Sequence, residues 1–508
     1  MKIYLLLLSL VLSLGLSLVL SLPALAQEPA EESKRPVAVE SEKTSISHHS
    51  VRIGGQKVDY QAVAGTLHLT GDEDQDAASI FYTAYTREGV DNLEERPVMF
   101  TFNGGPGSSS VWLHMGTFGP RRVNMRDAGQ PNAAPYRLED NAYSLLDVTD
   151  LVFIDPVGTG YSHALGESED KEFHGVEEDV QAVGDFIRLW LTRNERWNSP
   201  KLVGGESYGT TRTAALSSHL QRRGIFVNGL VLISSILNFQ TARFVTGNDM
   251  PHITFLPTFA ATAWYHGKIA DRPDNIEDFL GPVRDFAQGE YATALMKGDQ
   301  LGAHEAATIA TKLSAMTGLS EDYLRETNLR INIFRFTKEL LRDERRTVGR
   351  LDSRFKGMDS DAAGESFEHD PSMTAIMGPY TATVNHYLRT ELGYEDDTEY
   401  EILSGNVNRN WNWDLERSGG GFVNVAENMR QAMAADENLK VFVANGYYDL
   451  ATPFFATEYT MNHLNLEPHL KSNIEMYYYE AGHMMYINQD SLVKLKQDLA
   501  GFIASLNQ

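Results

Sequence analysis

A serine in a glycine-flanked pentapeptide is the residue of this sequence best suited to nucleophilic chemistry. Ser207 lies in Gly205-Glu206-Ser207-Tyr208-Gly209, between a predicted strand at Leu202–Gly204 and a helical pattern at Thr211–Leu220. A serine on such a sharp strand-to-helix turn presents its hydroxyl at the carboxyl edge of a sheet, and small flanking residues let strand and helix approach. This context predicts that Ser207 is the nucleophile of a serine hydrolase.

An acid and an imidazole occupy positions that suit the activation of this serine. A serine hydroxyl is a poor nucleophile near neutral pH unless an imidazole takes its proton and a carboxylate orients the imidazole. Asp449 follows the predicted strand Val441–Ala444, and His483 follows the predicted strand Ile474–Glu480. The order Ser, Asp, His therefore predicts a catalytic triad. Two alternatives remain open, namely Asp449 as a helix cap and His483 as a surface histidine.

A glycine-rich segment after another predicted strand offers a site for an anion. Asn103-Gly104-Gly105-Pro106-Gly107-Ser108-Ser109-Ser110 follows the strand Pro97–Phe102. Consecutive glycines let backbone N–H groups surround an anion, which in a serine hydrolase is the oxyanion of the tetrahedral intermediate. A phosphate loop is the alternative, but the sequence lacks the Gly-Lys-Ser/Thr of such loops. It also lacks His-Glu-x-x-His, so we expect neither a catalytic metal nor another cofactor.

The elements that must position these groups alternate between strands and helices. Buried parallel strands are predicted at Pro97–Phe102, Leu151–Ile154, Leu202–Gly204, Leu230–Ser234, Val441–Ala444 and Ile474–Tyr479. Antiparallel strands are predicted at Val58–Leu69 and Ser79–Tyr85. Helices are predicted near Val176–Leu191, Leu324–Leu341, Phe455–Leu464 and Ser491–Leu506. The fold class is therefore α/β, a doubly wound and mostly parallel sheet interrupted by a mainly helical cap insertion.

Length and composition bound the organisation of the chain. With 508 residues, the chain is too long for one core, which stops growing at roughly 250–300 residues. We predict a signal peptide at 1–26, a flexible leader at 27–50, a first core part at 51–238, the cap at 239–420 and a second core part at 421–508. The net charge of −25 disfavours nucleic acid as a partner, and the absence of cysteine excludes disulfides and a cysteine nucleophile.

The first residues of the chain indicate the compartment. Lys2 precedes an apolar run at Tyr4–Leu22, and Ala24-Leu25-Ala26 then supplies the small residues that signal peptidase requires, so that Gln27 begins the mature chain. An uncleaved membrane anchor is the alternative, because the run approaches the length that spans a bilayer. We predict a bacterial periplasmic or secreted protein with no membrane span after signal cleavage.

Four segments together resemble the serine carboxypeptidases. They are Asn103–Ser109, Asp155-Pro156-Val157-Gly158-Thr159-Gly160-Tyr161-Ser162, Gly205–Gly209 and Ala481-Gly482-His483-Met484. The resemblance runs from Pro97 to the C-terminus and implies an α/β-hydrolase fold and the removal of C-terminal residues from peptides. It also implies Ser207, Asp449 and His483 as the triad, with the backbone N–H groups of Gly105 and Tyr208 as the oxyanion hole.

The same resemblance implies a subsite for the substrate's C-terminal carboxylate, made by Asn103, the Gly104 N–H and Glu206. A carboxylate beside Glu206 is repelled unless one proton is shared, so this subsite is expected to favour low pH. Two departures from the family occur here, because Thr117 replaces a second Glu and Ser108 replaces a Cys. A threonine hydroxyl can donate without carrying charge, so we expect carboxylate binding with an altered pH dependence.

Three functions are compatible with these residues. An exported serine carboxypeptidase, acting on peptides with a free C-terminal carboxylate, is the leading prediction. A serine-dependent acyltransferase or esterase on the same fold is the second, because it would use the same acyl-enzyme. An inactive binding or scaffolding protein is the third, and the intact set of Ser207, Asp449 and His483 argues against it.

Overall fold

A computed structural model describes residues 40–71, 76–128, 132–414 and 421–506. Its strands are β1 (Thr44–Ile53), β2 (Gln56–Thr70), β3 (Asp76–Arg87), β4 (Val98–Phe102), β5 (Arg121–Val123), β6 (Leu138–Asp140), β7 (Asp150–Ile154), β8 (His163–Ala164), β9 (Lys201–Ser207), β10 (Gly229–Ser235), β11 (Thr347–Val348), β12 (Lys356–Gly357), β13 (Lys440–Gly446) and β14 (Ile474–Tyr479).

The α-helices in these ranges are α1 (Val111–Leu113), α2 (Val176–Arg193), α3 (Tyr208–Arg222), α4 (Met250–Tyr265), α5 (Ile276–Phe286), α6 (Ala292–Lys297), α7 (Ala303–Thr317), α8 (Glu321–Glu326), α9 (Ile333–Glu339), α10 (Pro371–Thr390), α11 (Gly405–Arg409), α12 (Ala426–Ala435), α13 (Phe454–Asn462), α14 (Pro468–Lys471) and α15 (Gln489–Ser505). Short 3₁₀ or π segments lie at His114–Phe118, Asp170–Phe173, Phe239–Thr241, Ala287–Tyr291, Gly298–Gln300, Arg342–Glu344 and Met485–Ile487.

A central mixed sheet organises the molecule. Within the described ranges its order is β1-β2-β3-β7-β4-β9-β10-β13-β14, with β8 pairing with β3. The neighbours β7, β4, β9, β10, β13 and β14 pair parallel. At one side of the sheet, β1, β2 and β3 pair antiparallel with one another, and β3 pairs antiparallel with β7. The predicted doubly wound, mostly parallel α/β sheet is confirmed. Its carboxyl edge brings the ends of β4, β9, β10, β13 and β14 side by side, and the candidate catalytic residues follow these ends.

Helices cover both faces of the parallel part of the sheet. Val441 and Val443 of β13 belong to one buried cluster, which includes residues of α2, α3 and α12. Phe442 and Ala444 of the same strand belong to a second cluster, which includes residues of α10 and α15. Successive strand side chains point to opposite faces, so a strand buried on both faces is apolar throughout. This explains why the parallel strands were recognisable as uninterrupted apolar runs.

The predicted flexible leader is wrong at its C-terminal end, because residues 44–50 belong to β1. This strand pairs with β2 along its whole length, from Thr44 opposite Gly65 to Ile53 opposite Gln56. Its composition is polar because it is the edge strand and one of its faces is largely exposed. Gly54 and Gly55, both with positive φ, form the two-residue hairpin turn that follows.

The described residues between β10 and β13 are mostly helical and include α4 to α12 together with the β11–β12 pair. A third buried cluster joins residues of α4 to α9 to Tyr447, Tyr448, Leu450 and Phe454, which follow β13. The predicted helix at Leu324–Leu341 is wrong in its middle, since Asn328 and Leu329 adopt positive φ and separate α8 from α9. The cap boundaries 239 and 420 remain predictions.

The predicted signal peptide at 1–26 and the cleavage site before Gln27 lie outside the described residues. Glu40–Gln508 form one compact unit. Among residues 40–71, 76–128, 132–414 and 421–506, no helix combines the length and apolar character needed to cross a bilayer.

Candidate active site

The candidate nucleophile stands on a strained turn between β9 and α3. Ser207 is the last residue of β9 and has φ 62° and ψ −130°, a conformation that non-glycine residues rarely adopt. The strand and the helix approach so closely that a Cβ on Gly205 would lie 2.2 Å from the carbonyl oxygen of Gly209. The small flanking residues are therefore a steric requirement of the turn, as the pentapeptide predicted.

Asp449 and His483 form a buried hydrogen-bonded pair at the same edge of the sheet. Asp449 follows β13 and is fully buried, while His483 follows β14 and is 4% exposed. The Nδ1 of His483 lies 2.7 Å from Oδ2 of Asp449. With Nδ1 donating to the carboxylate, Nε2 is left as the acceptor that a general base requires. The structure thus brings the predicted acid and base into the geometry of an oriented imidazole.

Asp449 also organises the turn that follows it. Its Oδ1 accepts hydrogen bonds from the backbone N–H groups of Ala451 at 2.8 Å and Thr452 at 3.0 Å. The Thr452 hydroxyl donates to Oδ2 at 2.7 Å. The alternative interpretation of Asp449 as a capping residue therefore has a structural counterpart in this turn, although α13 begins only at Phe454. One carboxylate oxygen holds the turn, and the other holds the imidazole.

The charge of Asp449 acts on the proton affinity of the imidazole. Burial by itself lowers the pKa of His483, but the charge and hydrogen bond of Asp449, with the charge of Glu206, raise this pKa above its ordinary value. His483 accepts a proton only when it is neutral. Activity that depends on this base is therefore lost as the pH falls through the raised pKa.

Among the described residues, the Ser207 hydroxyl forms no hydrogen bond, whereas its carbonyl accepts one from the Thr210 hydroxyl at 2.7 Å. The backbones of Ser207 and His483 contact neighbouring residues at the end of β10. Ser207 pairs with Ser235 at the end of β10, and the Ser234 hydroxyl donates to the His483 carbonyl at 2.7 Å. Catalytic hydrogen bonds are often long without substrate and tighten when it binds.

The glycine loop lies directly against the start of α3. A Cβ on Gly104 would lie 2.4 Å from the backbone nitrogen of Tyr208 and 2.8 Å from the carbonyl oxygen of Glu206. Gly105, the next residue, is exposed and has φ 102°. The structure thus brings the two predicted oxyanion-hole residues, Gly105 and Tyr208, to adjoining segments near the nucleophile. Their role as oxyanion donors remains a prediction.

Glu206 and Asn103, which are predicted to bind the substrate's carboxylate, meet beside the nucleophile. Glu206 is 2% exposed, and its Oε1 accepts a hydrogen bond from Nδ2 of Asn103 at 3.1 Å. The Asn103 amide is oriented by the backbone N–H of Leu113, which donates to its Oδ1 at 3.0 Å. Burial raises the pKa of Glu206 to about 7, against the lowering effects of His483 and of its hydrogen-bond donors. A neutral, proton-bearing Glu206 can donate to a carboxylate without repelling it.

Two features of the site were not predicted from the sequence. The hydroxyl of Tyr486, three residues after His483, donates to Oε2 of Glu206 at 2.7 Å. The local sequence does not indicate this contact, because Glu206 is 280 positions away. Tyr486 lies close to the histidine motif, in the short 3₁₀ segment Met485–Ile487, and this proximity is the signal that could have drawn attention to it.

The second feature is an interior segment of the helical insertion that holds the catalytic loops. The Leu351 carbonyl accepts from the His483 N–H at 2.7 Å, and Asp352 Oδ2 accepts from the Gly482 N–H at 3.2 Å. On the other side, the Arg350 carbonyl accepts from the Leu450 N–H at 3.0 Å. Residues 350–352 therefore bridge the turn after Asp449 and the turn that bears His483.

Comparisons with known proteins agree with this geometry. Residues 54–496 match the family model of the serine carboxypeptidases. Among curated proteins, the chain is 29% identical over 137 residues to serine carboxypeptidase-like 7 of Arabidopsis thaliana, which covers 27% of this chain and 30% of that protein. It is 24% identical over 235 residues to serine carboxypeptidase-like 8 of the same plant, and this alignment covers 46% of this chain and 49% of that protein. The chain thus spans less than half the length of these curated relatives.

One solved structure shares the fold over nearly the whole chain. It is Kex1Δp, a prohormone-processing carboxypeptidase from Saccharomyces cerevisiae, with a TM-score of 0.56, 16% identity and coverage of 88% of this chain and 92% of that one. This similarity confirms the predicted α/β-hydrolase fold. Since the family model covers residues 54–496 and includes the nucleophile turn, Asp449 and His483, the chain belongs to the serine carboxypeptidase family.

Proposed function

We propose that this protein is an exported serine carboxypeptidase that hydrolyses the C-terminal peptide bond of peptides through an acyl-enzyme on Ser207. The observation that carries the exopeptidase assignment is the buried Glu206 carboxyl, which immediately precedes the nucleophile and is hydrogen-bonded to Asn103. A proton-bearing acid at this position recognises a terminal carboxylate, whereas an interior peptide segment has no group to match it.

The proposed reaction follows from the positions of the side chains. His483 takes the Ser207 proton as the serine oxygen attacks the carbonyl of the C-terminal peptide bond, and Asp449 stabilises the resulting imidazolium. The backbone N–H groups of Gly105 and Tyr208 receive the charge that develops on the carbonyl oxygen. His483 then protonates the leaving amine, which departs as the C-terminal amino acid. Water, activated by the same imidazole, hydrolyses the acyl-enzyme.

Amidation of the peptide C-terminus is expected to lower kcat/KM by roughly 10- to 100-fold. The amide cannot accept the proton of Glu206 as a carboxylate does, and it leaves buried donors of the subsite unmatched, at a cost of about 1–3 kcal/mol for each group. The measurement compares kcat/KM for benzyloxycarbonyl-Phe-Leu and its C-terminal amide at a pH below 7, where Glu206 carries its proton.

A substrate in which an ester replaces the scissile peptide bond serves as the control for this comparison. Blocking its C-terminal carboxylate is expected to lower kcat/KM by a smaller factor, because cleavage of the activated ester depends less on substrate positioning. Equal cleavage of the acid and the amide would remove the carboxypeptidase assignment but leave a serine hydrolase. Turnover of esters with no cleavage of peptides would favour the acyltransferase or esterase alternative.

The export of the protein is proposed from the apolar run at Tyr4–Leu22 and the Ala24-Leu25-Ala26 that follows it. N-terminal sequencing of the protein recovered outside the cytoplasm is expected to begin at Gln27, with a periplasmic or secreted location. An intact N-terminus in the membrane fraction would instead show that the run is an anchor.

A further inference from the structure

The side-chain hydrogen bonds that reach the Glu206 carboxyl in the described structure come from neutral groups. In the described part of the chain its carboxyl makes no salt bridge, and its side-chain hydrogen bonds come from the Asn103 amide at 3.1 Å and the Tyr486 hydroxyl at 2.7 Å. An ionised carboxylate in a buried site is stabilised by the donors that reach it. Each of these two donors therefore affects the pH at which Glu206 loses its proton.

Tyr486 is held in place by close packing. Its ring is 2% exposed, and it lies in the 3₁₀ segment that follows His483. A Cβ on Gly116 would lie 2.4 Å from Cε2 of Tyr486 and 2.7 Å from the hydroxyl of Tyr380. Glycine at position 116 therefore leaves the space that the phenol occupies, and the hydroxyl reaches Oε2 of Glu206 from a fixed ring.

Thr117, which stands where the family has a second Glu, does not take this position. Its backbone carbonyl accepts from Nδ2 of Asn141 at 2.6 Å, and no hydrogen bond joins its hydroxyl to Glu206 among the described residues. The donor that accompanies Asn103 at the Glu206 carboxyl is thus Tyr486, contributed by a different part of the chain.

The titratable groups that face Glu206 come from several elements. They are Asp449 after β13, His483 and Tyr486 after β14, and Tyr380 of α10. Burial raises the pKa of Tyr486 well above the ordinary value for tyrosine, so its phenol keeps its proton throughout the working range of the enzyme. Tyr486 therefore acts on Glu206 as a permanent hydrogen-bond donor.

We propose that Tyr486 is a positioning residue of the carboxylate subsite, where its phenol stabilises the ionised form of Glu206 and so sets the pH above which free-acid peptides no longer bind. This inference rests on the proposed carboxypeptidase function. It places one ionisable carboxyl and one neutral phenol at the subsite. Substrate binding is then switched off by the loss of a single proton, from Glu206.

Tyr486→Phe is expected to move the alkaline limit of carboxylate binding upward by about one pH unit. The ring and its packing remain, but the ionised Glu206 loses a donor, and a hydrogen bond to a charged group is worth enough to shift a pKa by this amount. Binding of benzyloxycarbonyl-Phe-Leu and of its amide is measured by calorimetry from pH 5 to pH 9 in the Ser207→Ala background, which prevents turnover. The ratio of the two dissociation constants isolates the carboxylate subsite from His483.

Two further variants make this test specific. Tyr380→Phe removes a neighbouring buried phenol that makes no hydrogen bond to Glu206 in the described structure, and it is expected to leave the limit in place. Glu206→Gln is expected to flatten the pH dependence, since a neutral amide still donates, and Tyr486→Phe should then produce no further shift.

The outcomes separate the inference from the function on which it rests. An upward shift seen only in Tyr486→Phe, and abolished by Glu206→Gln, supports the role of Tyr486. An unmoved limit, or an equal shift in Tyr380→Phe, overturns that role while the discrimination between acid and amide stands. Equal binding of acid and amide by the Ser207→Ala parent overturns the proposed function and the inference together.

Discussion

Ser207→Ala is expected to leave a folded protein whose kcat/KM for peptides falls by roughly 10⁴-fold or more, as happens when a member of a triad is removed. The hydroxyl makes no hydrogen bond among the described residues, so its removal breaks none, and the Ser207 carbonyl keeps the bond that it accepts from Thr210. Alanine also keeps a Cβ at the strained φ of 62°, and the strain of the turn is unchanged. Initial rates and the thermal midpoint, measured on the same preparation, check both parts of this expectation.

The chain contains a matched control for this substitution. Ser366 follows Gly364 and Glu365, so it repeats the Gly-Glu-Ser tripeptide, but it lies exposed in a loop between β12 and α10. Ser366→Ala is expected to retain full activity and full labelling by a fluorophosphonate, while Ser207→Ala loses both. Near-normal turnover by purified Ser207→Ala would show that another residue is the nucleophile. Absence of labelling in the parent protein would favour an inactive binding protein.

Asp449→Asn is expected to lower kcat by roughly 10⁴-fold while changing the unfolding free energy little. The asparagine oxygen can still accept from the N–H groups of Ala451 and Thr452, so the turn is kept. The amide nitrogen then faces Nδ1 of His483 and donates to it. This contact favours the tautomer with its proton on Nε2, and that nitrogen can no longer accept the proton of Ser207.

Two companion variants separate the tautomer effect from the loss of the turn. Asp449→Ala removes both contacts and is expected to lower the thermal midpoint as well as the activity. Thr452→Val removes the hydroxyl that donates to Oδ2 at 2.7 Å and lies 3.2 Å from Nδ1 of His483, and it is expected to cost far less activity than Asp449→Asn. A normal rate in Asp449→Asn, with only a lower thermal midpoint, would assign Asp449 to the turn alone.

The parallel strands and the candidate triad were accessible from the sequence because their signals are local. A strand buried on both faces must be apolar along its buried part, as Val441–Ala444 of β13 is, and its end is marked by the change to asparagine and glycine. The nucleophile turn likewise requires small residues within two positions of Ser207, since Gly205 and Gly209 are in contact. Edge strand β1 escaped detection because its exposed face carries no apolar signal.

The sequence by itself determined which residues follow the ends of the parallel strands. Their order along the chain made Ser207, Asp449 and His483 the candidates for a triad. Only the tertiary structure decided what surrounds them. The contact between Tyr486 and Glu206 joins positions 280 residues apart, and residues 350–352 reach the two catalytic turns from inside the helical insertion. Periodicity and turn residues report the needs of one element, whereas the proton affinity of a buried carboxyl depends on donors that arrive from elsewhere in the fold.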